Sequence, residues 1–120
     1  MLFAICFIGI APLISISVKP ILYDHCVVID AGHGGIDGGS VGYAGTIEKE
    51  INLQYANALK QYLESANIKT VMTRENDDGL YDNSGKSKKL SDMLNREKII
   101  NECKPDLVVS IHMNSFSQKS

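Results

Sequence analysis

The stretch from Val27 to Gly39, Val-Val-Ile-Asp-Ala-Gly-His-Gly-Gly-Ile-Asp-Gly-Gly, constrains the fold more than any other part of the chain. A short β-branched run leads straight into a glycine-dense turn with His33 at its head. Cys26 to Asp30 predicts a strand. Its lack of apolar/polar alternation is that of a parallel strand buried on both faces. Between Gly32 and Gly45 there are seven glycines, which lets the backbone take positive φ and approach a ligand closely. A phosphate cradle is the rival reading. The Lys-Ser/Thr of a P-loop and the spacing of a dinucleotide fingerprint are both absent. His33 favours a loop folded around a site. Asp37 in that loop either contacts a ligand or makes an Asx-type bond to its own backbone.

The rest of the chain alternates in type. Glu48 and Glu50 open a helical pattern with apolar positions at Ile51, Tyr55, Leu59, Tyr62 and Ala66, and Ala56 and Leu63 beside them, predicting one stripe against a sheet. Acidic residues in the first turn suit the helix dipole. Glu48 has a second reading as a metal ligand, which the neighbouring loop histidine favours. Ile68 to Thr73 predicts a second strand with Arg74 at its exit. The long polar loop from Glu75 to Lys88 predicts a segment that covers a site or moves. Leu90 to Cys103 predicts a second helix, with Leu90, Met93, Leu94 and Ile100 on one side, stopped at Pro105. Arg96 within it reads as a surface ion pair or as a group leaning toward the sheet end. Leu107 to His112 predicts a third, strongly apolar strand that exits through Met113, Asn114 and Ser115.

Strand, helix, strand, helix, strand predicts an α/β fold: an open, mainly parallel sheet with flanking helices and right-handed crossovers. With sheet order 2-1-3 the helices lie on opposite faces, and a crevice opens outside the carboxyl ends of the first and third strands. His33 and His112 both fall there. Neighbouring strands are about 4.8 Å apart, so both imidazoles can reach one ion. Glu48 returns to the same end of the sheet. Two imidazoles and a carboxylate form the donor set of a catalytic zinc site with an open fourth position.

Residues 1–19 stand apart from this pattern. Leu2 to Val18 is apolar and uncharged, with Pro12, Ser15 and Ser17 interrupting it. It reads as a signal peptide or uncleaved membrane anchor, the anchor slightly favoured because no clear small-residue cleavage site follows; a buried core helix is the alternative. Twelve basic and fourteen acidic residues give a net charge of −2. Lys86, Lys88 and Lys89 are the only basic knot and read as a solvated loop, so no nucleic-acid partner is expected. His25 reads as a surface residue. Cys6, Cys26 and Cys103 fit no metal-knuckle or redox spacing. Cys26 and Cys103 read as small buried hydrophobes, with a disulfide outside the cytoplasm as the other option.

Four motifs in order carry a family resemblance: Asp30-Ala31-Gly32-His33-Gly34-Gly35; Glu48-Lys49 followed by Asn52-Leu53; Thr73-Arg74; and Ser110-Ile111-His112-Met113-Asn114-Ser115. Together they resemble the zinc-dependent N-acetylmuramoyl-L-alanine amidases of the type 3 class, in a layout similar to the sporulation cortex amidases. The resemblance implies that His33, Glu48 and His112 match the Zn2+ ligands. It implies that peptidoglycan is the substrate, cut at the amide between N-acetylmuramic acid and L-alanine. It implies an exported protein, on the extracytoplasmic face of a bacterial membrane or in the cell wall, for which an accessory sporulation protein is conceivable. Arg74, Arg96 and Asn114 are the expected substrate contacts, with a structural role as the alternative for the arginines. The family's further glutamate, its general acid/base, would fall beyond Ser120; Glu50 and Glu75 are nearby substitutes that do not match the motif. Residues 26–120 are therefore expected to be the N-terminal part of a catalytic domain, impaired alone. A non-catalytic cell-wall binding module and a peptidoglycan deacetylase are the alternative functions.

Overall fold

The computed structural model of the chain describes residues 25–82 and 87–113. The leader at 1–19, Cys6, Lys86 and Asn114 lie outside the described residues. Among the described residues, no helix is long and apolar enough to cross a membrane.

Three strands, β1 (Cys26–Ala31), β2 (Lys69–Met72) and β3 (Leu107–Ile111), form one sheet in the order β2-β1-β3. Both pairings are parallel, with Ile29 opposite Met72 and Ala31 opposite Ile111. All three strands therefore end at one rim. The helices among the described residues are α1 (Glu48–Ser65) and α2 (Lys88–Cys103). The α/β reading and the sheet order are as the sequence predicts.

Alternation along β1 assigns its two faces. Val27, Ile29 and Ala31 pack with Ala56 and Met72, joined by Leu53, Leu59 and Leu63 of α1. Complete burial of a side chain such as Ile29 is worth roughly 1.5–3 kcal/mol. Asp30, on the other face, pairs with Arg96 of α2.

The helices dock differently from the hydropathy pattern. On α1 the buried residues are Glu48, Asn52 and Ala56, while Tyr55 and Tyr62 are exposed. The buried stripe is rotated from the expected one because its first turns are polar and serve the rim. On α2 the buried residues are Ser91 and Arg96, whereas Leu90, Met93 and Leu94 are exposed. This helix is tied to β1 by an ion pair rather than by its apolar side.

The start of α1 has no side-chain cap. Carbonyls of the glycine loop supply one instead: Ser40 accepts from the Glu48 N–H and Gly38 from the Lys49 N–H. They satisfy donors that a helix end otherwise leaves open. The loop and the helix are thus one unit. At the other helix, Ser87 caps the start by accepting from the Leu90 N–H, and Lys104 in the left-handed region closes the end.

The Asp30 carboxylate makes stability depend on acidity. Burial pushes its pKa up, but hydrogen bonds from Arg96, Ser110 and Thr73 outweigh that and hold it below the usual carboxylate value. A depressed value contributes stability that is complete above the ordinary pKa of about 3.9 and lost as pH falls through the folded-state value. In urea titrations from pH 6 to pH 2, the chain should lose stability on the acid side, and Asp30→Asn should flatten that limb. An identical acid limb in the variant would contradict this role.

Candidate metal centre

His33, Glu48 and His112 arrive at the rim from three separate elements. His33 follows β1, Glu48 opens α1, and His112 follows β3. One donor atom from each lies within 4.8 Å of the others. The His33 Nε2 is 3.2 Å from the Glu48 Oε1, and the His112 Nδ1 is 3.4 Å from that same oxygen. Two donors bound tetrahedrally at about 2.1 Å stand about 3.4 Å apart. Both histidine-to-glutamate spacings therefore match donors to one small divalent cation.

Local geometry explains why the sequence is so rich in glycine here. A Cβ on Gly32 would lie 2.2 Å from the His112 ring, and one on Gly39 would lie 2.7 Å from both Glu48 and His33. The two glycines leave a cradle that only these side chains enter. His33 itself sits at φ 62°, a left-handed backbone uncommon for a residue with a side chain and concentrated at functional sites. Asn52, fully buried, donates to the Gly32 carbonyl at 3.2 Å and holds the turn from beneath.

Glu48 is prepared as an anion. Burial raises its pKa, but the Ser40 and Met113 N–H groups and the charge of His33 outweigh it and hold it at about 2. The Ser40 N–H donates at 2.8 Å to one carboxylate oxygen and the Met113 N–H at 2.9 Å to the other. Asp37 makes the Asx-type bond of one sequence reading and, in addition, a contact to His33 that neither reading named. One oxygen accepts from the Gly39 N–H at 3.1 Å, an Asx-type bond, and the other lies 3.0 Å from the His33 Nδ1. A carboxylate on the outer nitrogen fixes ring orientation and tautomer and leaves Nε2 as the free donor. Asp37→Ala should therefore weaken metal binding by about 10–100-fold, read by competition with a chelating dye; unchanged affinity would contradict this.

Both arginines bond extensively within the protein. Arg74 donates to the carbonyls of Ala31, Gly32, Lys49 and Asn76. Burial, then the neighbouring charge of Arg96, lowers its pKa. Arg96 donates to Asp92 at 2.6 Å, to Asp30 at 2.7 Å, and to the carbonyls of Ala31 and His33. These contacts match the structural alternative for Arg74, which is 3% exposed. Arg96 also lines a cleft of about 660 Å³ together with His33, Asp37, Tyr81, Met93 and His112. Of the substitute carboxylates, Glu75 pairs with Lys60 and Glu50 is exposed.

Lys49 is a residue whose role the sequence did not reveal. Its ammonium donates to the Gly35 carbonyl and to Asp77, while the Gly35 N–H donates to the Asp77 carbonyl. These bonds clamp the glycine loop to the segment after β2, and Tyr81 of that segment borders the cleft. The signal was its place in the Glu48-Lys49 motif.

The sequence profile of the N-acetylmuramoyl-L-alanine amidases matches residues 27–120. The chain belongs to this amidase family. It is 38% identical over 97 residues to the germination-specific N-acetylmuramoyl-L-alanine amidase of Bacillus subtilis (strain 168), covering 78% of this chain and 40% of that protein. It is 34% identical over 93 residues to the amidase AmiA of Escherichia coli (strain K12), covering 76% and 28%. Among solved structures, the CwlD amidase of Clostridioides difficile, determined in complex with the GerS lipoprotein, superposes with a TM-score of 0.74 at 37% identity, covering 79% of this chain and 51% of that one. The catalytic domain of the amidase CwlV from Bacillus (Paenibacillus) polymyxa gives 0.66 at 33% identity, covering 78% and 48%. This amidase-family chain thus spans about half the length of those structures or less.

Proposed function

We propose that this chain carries the metal-binding part of an exported peptidoglycan amidase, with zinc held by His33, Glu48 and His112. The observation that carries this reading is the convergence of those three donors within 4.8 Å in a chain of the amidase family. A bound zinc ion lowers the pKa of water and polarises an amide carbonyl. The chain's own residues supply the rest. Glu48 brings a carboxylate already ionised at neutral pH. Asp37 orients His33. Arg74 and Arg96 hold the carbonyls of the turn, so that the donor set is fixed before substrate arrives. Arg96 and Asn114 remain as substrate contacts: Arg96 borders the cleft, and Asn114 follows the His112 motif in sequence. The reaction adds water across the amide between N-acetylmuramic acid and L-alanine, breaking its C–N bond and passing a proton to the departing amine. A general acid beside the departing nitrogen supplies that proton.

The apolar run at 1–19 supports export or anchoring at the outer face of a bacterial membrane. The germination-specific name of the Bacillus relative supports a role in spore cortex, and the lipoprotein-bound CwlD structure supports an accessory lipoprotein as partner.

Digestion of purified peptidoglycan by the full chain, read by mass spectrometry, tests the reaction. Stem peptides with a free alanine amino terminus, at the low yield expected of a chain impaired alone, would identify the amidase. Loss of acetyl groups would identify a deacetylase instead. Retained binding with no bond cleaved would identify a wall-binding module.

A further inference from the structure

At the opposite end of the sheet from His33, Cys26 opens β1 and Cys103 closes α2, 77 positions apart in the chain. Their sulfur atoms are 3.2 Å apart, and both cysteines are half-buried. The backbone around them is pinned. The Cys26 N–H donates to the Asp106 carboxylate at 2.7 Å, and the Asp106 N–H donates back to the Cys26 carbonyl at 2.8 Å. Lys104, immediately after Cys103, holds its left-handed turn by donating to the Ile100 carbonyl. The two thiols thus face one another through rigid elements rather than through a mobile loop.

We propose that Cys26 and Cys103 are a disulfide-forming pair that staples the start of β1 to the end of α2 in an oxidising compartment. The exchange needs an external disulfide as electron acceptor. One cysteine thiolate attacks it and releases one external thiol; the second thiolate then displaces the other. Two S–H bonds and one external S–S bond are lost, and one protein S–S bond and two external S–H bonds are gained. Burial first, and then Cys103, push the Cys26 thiol up. That is unlike the low-pKa cysteines used in redox catalysis, and the pinned backbone on both sides gives the bond a structural role. It closes a long loop around both helices, where cross-linking stabilises most. It also lies away from the rim, so the three metal donors keep their positions.

The full chain, equilibrated with mixtures of reduced and oxidised glutathione, is blocked with N-ethylmaleimide, digested without reductant and read by mass spectrometry. A peptide pair linked through Cys26 and Cys103 is expected, with Cys6 carrying maleimide. Dithiothreitol should then lower the melting temperature by on the order of 10 °C. Cys103→Ser should abolish both the linked pair and that shift. Maleimide on both Cys26 and Cys103 under the most oxidising mixture, a bond to Cys6, or a scrambled mixture of pairings would overturn the proposal. A bond that forms without any thermal shift would overturn its role as a staple.

Discussion

Replacing Arg96 by alanine is expected to remove about 3–5 kcal/mol of stability, a large share of the roughly 5–15 kcal/mol that holds a domain folded. The Arg96 and Asp30 side chains are only 11% and 13% exposed, and their charged atoms meet at 2.7 Å. Removing the guanidinium leaves the Asp30 carboxylate in the interior with only the hydroxyls of Ser110 and Thr73. It also strips a donor from each of the Ala31 and His33 carbonyls. Breaking one side of such a pair costs more than the pair itself contributes, because the remaining charge is stranded. Arg96→Lys should recover only part of the loss, since an ammonium cannot reproduce a planar fork serving five acceptors. Urea unfolding of the full chain followed by circular dichroism reads both variants. A loss below about 1 kcal/mol for the alanine variant would place Arg96 among ordinary surface pairs.

His112→Ala is expected to weaken metal binding by at least 100-fold, beyond the about 10–100-fold typical of an outer-shell partner. His112 is well suited to separate binding from folding. Its side chain is 46% exposed, and it follows β3 rather than lying within it, so the variant should keep its circular dichroism spectrum and urea midpoint. Glu48→Gln should weaken binding too, but it mixes effects. The Glu48 carboxylate also accepts from Ser40 and Met113, and its loss loosens both loops. Metal affinity in His112→Ala within tenfold of the parent would remove His112 from the donor set.

The sheet order and the convergence of His33, Glu48 and His112 were legible in the sequence. Both follow from local signals: β-branched runs mark the strands, and glycines mark the turn that must pass a side chain at close range. The parts that were not legible share a physical cause. Hydropathy ranks Tyr55, Tyr62, Met93 and Leu94 as core, yet the helices turn polar residues inward. Asn52 and Arg96 are buried where they satisfy the carbonyls of Ala31, Gly32 and His33, which the turn after β1 leaves open. No periodicity of apolar residues encodes that need. The partnership of Asp30 with Arg96 spans 66 positions and is visible only once the crossover brings α2 over β1. For Asp37 the Asx-type bond was legible, whereas the bond of its other oxygen to His33 was not.

That His33, Glu48 and His112 together hold one ion is tested most directly by zinc-edge X-ray absorption on the full chain loaded with one equivalent of metal. The expected spectrum shows imidazole nitrogen and carboxylate oxygen at about 2.0–2.2 Å and no sulfur. A zinc–sulfur distance near 2.3 Å, which would bring cysteine into the site, or the absence of stoichiometric uptake, would contradict it.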